Sequence, residues 1–137
     1  MCLTGCFAIP LLVEPSLMAP VLSQPSLPMN PFDRASVGCS EEDLEFACKR
    51  SKKENIPVLG FKFSNDILSS NDKFKLLKFQ LGDLFVDTII DSSVGNPNNI
   101  PLHAHAVFTT HYEDTPNHPT REAFERLVKY YRDRLLS

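Results

Sequence analysis

The order of elements in this sequence predicts an α/β fold with a short parallel sheet of about three strands flanked by helices. Three observations carry that expectation. Helix-like and strand-like segments alternate along the chain, which calls for parallel strands joined by helical crossovers. The clearest strand-like runs, VLGFKF at 58–63 and FVDTII at 85–90, are short and apolar. The segments between them carry helix start and stop signals.

Taken in order, residues 3–13 are apolar with helical spacing, and Pro10 lies inside them, where it should kink or shorten a helix. Residues 17–23 (LMAPVLS) form an apolar run between Pro15 and Pro25 and read as a buried strand. Residues 24–39 carry Pro25, Pro28, Pro31, Ser26, Ser36 and Gly38 and read as a long loop. Ser40 with Asp43 gives a capping pattern, and Glu41 and Glu42 favour the N-terminal end of a helix. Leu44, Ala47 and Cys48 supply its apolar stripe. Lys49, Arg50, Lys52 and Lys53 crowd its far end and read as a solvated face. After Pro57 comes the strand 58–63. Ser70 or Asn71 opens a further helix in which Phe74, Leu77 and Leu81 share a face, and Gly82 stops it. Phe74 and Phe79 read as core. The strand 85–90 leads into an irregular stretch, 91–105. A last helix over about 120–135 places Phe124, Leu127, Val128, Tyr131 and Leu135 at helical spacing against a charged opposite face.

Composition narrows the functional classes. The chain has 137 residues, enough for one domain, with 23% charged and 42% hydrophobic residues and a formal net charge of -3. No basic face points to nucleic acid or an anionic membrane. Pro10, Glu14 and Pro15 interrupt the apolar N-terminal stretch, so neither a spanning helix nor a signal peptide with a positive leading region is expected. Cys2, Cys6, Cys39 and Cys48 form no C-x-x-C pair and read as reduced thiols, which makes a cytoplasmic location the expectation. There is no glycine-rich phosphate loop, and no cofactor is expected. His103, His105, His111 and His118 invite a metal site, but no carboxylates in matching positions accompany them, and none is expected.

Three residues could carry chemistry. Cys2, in Cys2-Leu3-Thr4-Gly5, is a nucleophile in a small-residue turn leading into a helix, the pattern of a nucleophile elbow. Such a turn lowers a thiol's pKa at the helix end. Asp66 follows the strand 58–63, at the end where parallel sheets gather functional groups. Its competing reading is a turn cap. His105 follows the strand 85–90, and its competing reading is an ordinary loop histidine. The chain order nucleophile, acid, histidine is the order α/β-hydrolases use.

The chain resembles the dienelactone hydrolase family of α/β-hydrolases over nearly its whole length. The resemblance rests on Met1-Cys2-Leu3-Thr4-Gly5-Cys6, on residues 19–26 (APVLSQPS), on 58–66 (VLGFKFSND), and most strongly on residues 81–121, which include Asp91-Ser92-Ser93, Gly95-Asn96-Pro97, Ala104-His105-Ala106-Val107 and His118-Pro119-Thr120-Arg121. Thr4 and Cys6 stand where relatives often have glycine. The resemblance implies the C-terminal part of an α/β-hydrolase, with residues 1–137 a partial domain lacking its N-terminal strands. It implies Cys2 as nucleophile, His105 as base, Asp66 as orienting acid and the backbone N–H of Leu3 as an oxyanion donor. The implied substrate is a small-molecule carboxylic ester or lactone. The alternative is a non-catalytic truncated fragment that retains the triad without a complete oxyanion hole. In either case the first strand should expose an edge suited to self-association.

Overall fold

A computed structural model of the chain describes residues 2–28 and 32–136. Met1 of the elbow segment and residues 29–31 of the expected loop lie outside the described residues. Three strands, β1 (Val21–Ser23), β2 (Val58–Phe63) and β3 (Phe85–Ile90), form one parallel sheet in that order. Three α-helices follow: α1 (Glu41–Glu54), α2 (Asn71–Leu81) and α3 (Pro119–Leu135). The α/β expectation therefore holds at the level of layers and connectivity. No helix among the described residues is long and apolar enough to cross a membrane.

β2 is buried along its whole length, as the central strand of a parallel sheet covered on both faces must be. Its side chains alternate between two apolar clusters. Val58 packs with Leu22, Ala47, Cys48, Phe74, Leu77 and Phe85 under α1 and α2. Leu59, Phe61 and Phe63 pack with Ile90, Val107, Ala123 and Tyr130 under α3. Gly60 faces the first cluster, where the Phe74 and Phe85 rings meet edge to face at 5.3 Å. A Cβ at Gly60 would lie 2.7 Å from Cζ of Phe85 and 3.0 Å from Cε1 of Phe74, so the aromatic pair crosses the strand only because no side chain is there.

The helix boundaries follow the sequence signals closely. Ser40 accepts from the Asp43 N–H at 3.1 Å and Ser70 from the Lys73 N–H at 3.4 Å, each quenching a donor that the first helical turn leaves unpaired. Asn55 ends α1 in the left-handed conformation that asparagine tolerates.

Five expectations need correction. Residues 2–13 form two 3₁₀ turns, Cys2–Ala8 and Pro10–Val13, in place of an α-helix. Pro10 cannot donate to the residue four back, and the turns close three residues back instead, with the Ile9 N–H donating to Cys6 and the Leu12 N–H to Ile9. β1 spans Val21–Ser23 and not 17–23, and the Leu17 carbonyl accepts from Arg50.

Arg50 itself is not solvated. Its buried guanidinium donates to the carbonyls of Leu12, Glu14, Pro15 and Leu17, at 2.7, 2.6, 2.9 and 3.3 Å, and its Nε meets Glu54 at 3.1 Å. Lys49, Lys52 and Lys53 are exposed as expected. Phe79 is 85% exposed and not core, while Phe74 is buried. α3 buries the line Thr120, Ala123 and Tyr130, with Leu127 beside it, and leaves Phe124, Tyr131 and Leu135 exposed. The covered line sits to one side of the stripe that the spacing suggested.

Candidate active site

The C-terminal ends of the three strands bring Cys2, Asp66 and His105 together. Cys2 begins the first 3₁₀ turn with φ +52, a conformation that L side chains other than Asn and Asp rarely hold. It is held there from the loop after β1, where the Ser26 N–H donates to the Cys2 carbonyl at 3.2 Å. Gly5 lets the turn lie against the end of β1, since a Cβ would stand 2.7 Å from the Ser23 carbonyl oxygen. Cys6 is buried and donates to the Leu27 carbonyl at 2.7 Å.

Asp66 makes contacts with each of its two carboxylate oxygens. Oδ1 accepts from the N–H groups of Leu68 and Ser69 at 3.0 and 3.1 Å, closing the turn after β2. Oδ2 meets His105 Nδ1 at 2.7 Å. Lys62 braces that turn from inside: its buried ammonium donates to the Ser69 carbonyl and to Asn71 Oδ1. Burial, only partly offset by the negative charge of Asp66, pulls the Lys62 pKa down to about 8.

His105 lies in the irregular stretch after β3. Its Nε2 stands 2.9 Å from Cys2 Sγ, completing a continuous hydrogen-bonded chain from thiol to imidazole to carboxylate. Exposure is graded along it: the Asp66 side chain is 2% exposed and the His105 side chain 19%. An ionised carboxylate only accepts, so Nδ1 carries the proton and Nε2 is left to accept from the thiol. Burial works against the imidazolium, but the hydrogen bonds to Cys2 and Asp66 and the carboxylate charge outweigh it, and the His105 pKa is raised.

Two features that sequence reading did not assign hold the loops in register. His111 Nδ1 accepts from the backbone N–H of Ala106 at 3.1 Å and of His105 at 3.4 Å, while its ring stands edge-on to Phe63. Ser64 and Ser92 latch the ends of β2 and β3: the Ser92 N–H donates to Ser64 Oγ at 3.0 Å, and the Asn65 N–H donates to Ser92 Oγ at 3.1 Å. The Ser-rich motif after β3 was the only trace of the latch in the sequence. The other histidines do other work. His118 caps α3 through Thr120, and His103 is exposed. No group of three metal-ligating side chains converges among the described residues.

A thiol beside an imidazole that is itself fixed by a buried carboxylate has the parts of a covalent catalyst: nucleophile, general base and orienting acid. The other thiols lack this company. Burial raises the pKa of Cys6, Cys39 and Cys48, so each is less nucleophilic than an ordinary cysteine near neutral pH. Comparison with known proteins finds no matching family model, no matching curated protein and no matching solved structure.

Proposed function

We propose that this chain is a dienelactone-hydrolase-like α/β-hydrolase that cleaves a small carboxylic ester or lactone through Cys2, His105 and Asp66. The observation that carries the reading is the unbroken chain Cys2 Sγ–His105–Asp66, with contacts of 2.9 and 2.7 Å between residues 103 and 39 positions apart in sequence. The positive φ of Cys2 supports it further, because an elbow presents its nucleophile by such a strained turn.

In this mechanism His105 Nε2 takes the thiol proton and the Cys2 thiolate attacks the carbonyl carbon. The resulting oxyanion accepts a hydrogen bond from the Leu3 N–H at the start of the 3₁₀ turn. Collapse of the tetrahedral intermediate expels the alkoxide, which takes its proton from the His105 imidazolium, and leaves a thioester on Cys2. His105 then removes a proton from water, whose oxygen attacks the thioester. The carboxylic acid departs and the thiol is regenerated. Asp66 holds the imidazole tautomer and stabilises its positive charge throughout. These steps require a reduced thiol, so the reading places the protein in the cytoplasm.

Hydrolysis of p-nitrophenyl acetate by the wild-type chain and by Cys2→Ala tests the reading. Loss of enzymatic turnover in Cys2→Ala is expected, and equal rates would rule out Cys2 as the nucleophile. The competing reading is a chain that keeps the triad without turnover. In that reading the oxyanion hole is incomplete, and one lost donor costs on the order of 10²–10³ in kcat. That reading predicts p-nitrophenol release no faster from the wild-type chain than from Cys2→Ala.

A further inference from the structure

The loop after β1 touches the nucleophile with a side chain that the triad mechanism does not use. Ser26 is buried, and its Oγ stands 3.5 Å from Cys2 Sγ. A buried hydroxyl requires a partner, and among the described residues the Cys2 sulfur stands within its reach.

We propose that Ser26 is a further catalytic residue of the Cys2 site, whose hydroxyl donates to the Cys2 sulfur and stabilises it as the thiolate. The inference deepens the hydrolase reading and rests on Cys2 being its nucleophile.

Differential bonding to the two forms of the sulfur gives Ser26 this role. A thiol is a weak acceptor, and towards it a serine hydroxyl can act as donor or acceptor. A thiolate only accepts, and a hydroxyl free to rotate turns its proton toward the charge. Hydrogen bonds to charged groups are stronger than neutral ones, so the Ser26 contact favours the ionised form of Cys2 over the neutral one. Both stages in which Cys2 carries charge, its ionisation for attack and its departure from the thioester, place the thiolate between the His105 imidazolium and this hydroxyl. When water attacks the thioester, Cys2 departs as a thiolate, and the same hydroxyl stabilises the leaving group.

The position of Ser26 is fixed in advance. Its own N–H holds the Cys2 carbonyl, so hydroxyl and sulfur ride on one hydrogen-bonded unit. Gln24, two residues before it, takes a positive φ of 37 and donates its N–H to the Phe61 carbonyl at 2.7 Å, anchoring the turn to β2. Gly5 meets the same turn from the nucleophile side, with Pro25 Cα 3.4 Å from where its Cβ would be. Strand, turn and 3₁₀ segment thus fix the Ser26 backbone beside Cys2, and the hydroxyl it carries lies against the sulfur.

The test measures thiol reactivity, which does not depend on any ester being a substrate. The full chain is alkylated with iodoacetamide across a pH series, and modification of Cys2 is followed by peptide mass. Ser26→Ala should move the inflection of the Cys2 profile upward by about one pH unit, roughly a tenfold loss of thiolate below the inflection. Ser26→Thr, which keeps the hydroxyl, should return the inflection toward the wild-type value. Both variants keep the backbone N–H that holds Cys2, and circular dichroism checks that each is folded. An unchanged inflection in Ser26→Ala overturns the proposal, and so does an equal shift in Ala and Thr, which would trace the effect to packing. Should the chain hydrolyse no ester while Ser26→Ala still moves the inflection, the hydrolase reading falls and the Ser26 assignment stands.

Discussion

At the scale of single residues, Asp66 shows how one side chain meets two demands. Its carboxylate has two oxygens: one closes the local turn and the other reaches the imidazole 39 residues away. The turn contact therefore leaves the second oxygen available to the imidazole. His105 carries a prediction about pH. Its pKa is raised in the folded chain, because the bonds to Cys2 and Asp66 outweigh a burial that by itself would lower it. A group with a raised folded pKa contributes stability that is fully present below its unfolded value, about 6.5, and is lost as pH rises through the folded value. The stability difference between wild type and His105→Gln, from urea titration, should therefore be larger near pH 5 than near pH 9. A difference that grows with pH would contradict the arrangement. Asp66 and His105 were legible as candidates because each follows a strand, Cys2 because it lies in a small-residue turn, and chain order joined the three. Ser26 was not, because it sits in a proline-rich loop with no period, and its importance comes from contact with a residue 24 positions away.

At the scale of elements, the helices and central strand were the legible part. Capping serines, Pro57 and Gly82 are local signals, and local signals set boundaries. Arg50 was not legible for a physical reason. Its partners are backbone carbonyls of Leu12, Glu14, Pro15 and Leu17, which any sequence would possess. Those carbonyls belong to a segment with little regular structure to satisfy them, and the guanidinium fork supplies the missing donors while pinning that segment to α1. Arg50→Ala should destabilise the chain by roughly 2–4 kcal/mol, read as a fall of about 10 °C in Tm. Arg50→Lys should recover only part of the loss, since one ammonium cannot span four acceptors. A melting temperature unchanged in the alanine variant would show that the staple carries no stability. Phe79 is a different kind of miss. Five residues beyond Phe74, it lies about 140° around the helix, so its exposure could have been read from the period itself.

At the scale of the whole molecule, the site exists because parallel strands all end on one edge. β2 delivers Asp66 there, β3 delivers the stretch bearing His105, and β1 delivers the turn that holds Cys2. Alternation of elements was enough to foresee that layout. It could not foresee which line of α3 would be covered, because that depends on where the helix crosses the sheet. Tyr130 fixes the crossing through its hydroxyl, which donates to the Pro57 carbonyl at 2.6 Å. The central claim is that the assembled Cys2, His105 and Asp66 work as one nucleophilic unit. Its most direct test is the intact mass and peptide map of the chain mixed rapidly with p-nitrophenyl acetate and quenched in acid. The account predicts a single acetyl group on Cys2, formed far more slowly in Asp66→Asn and His105→Gln. Acetylation scattered over lysines and the other cysteines, at the same rate in all three proteins, would contradict it.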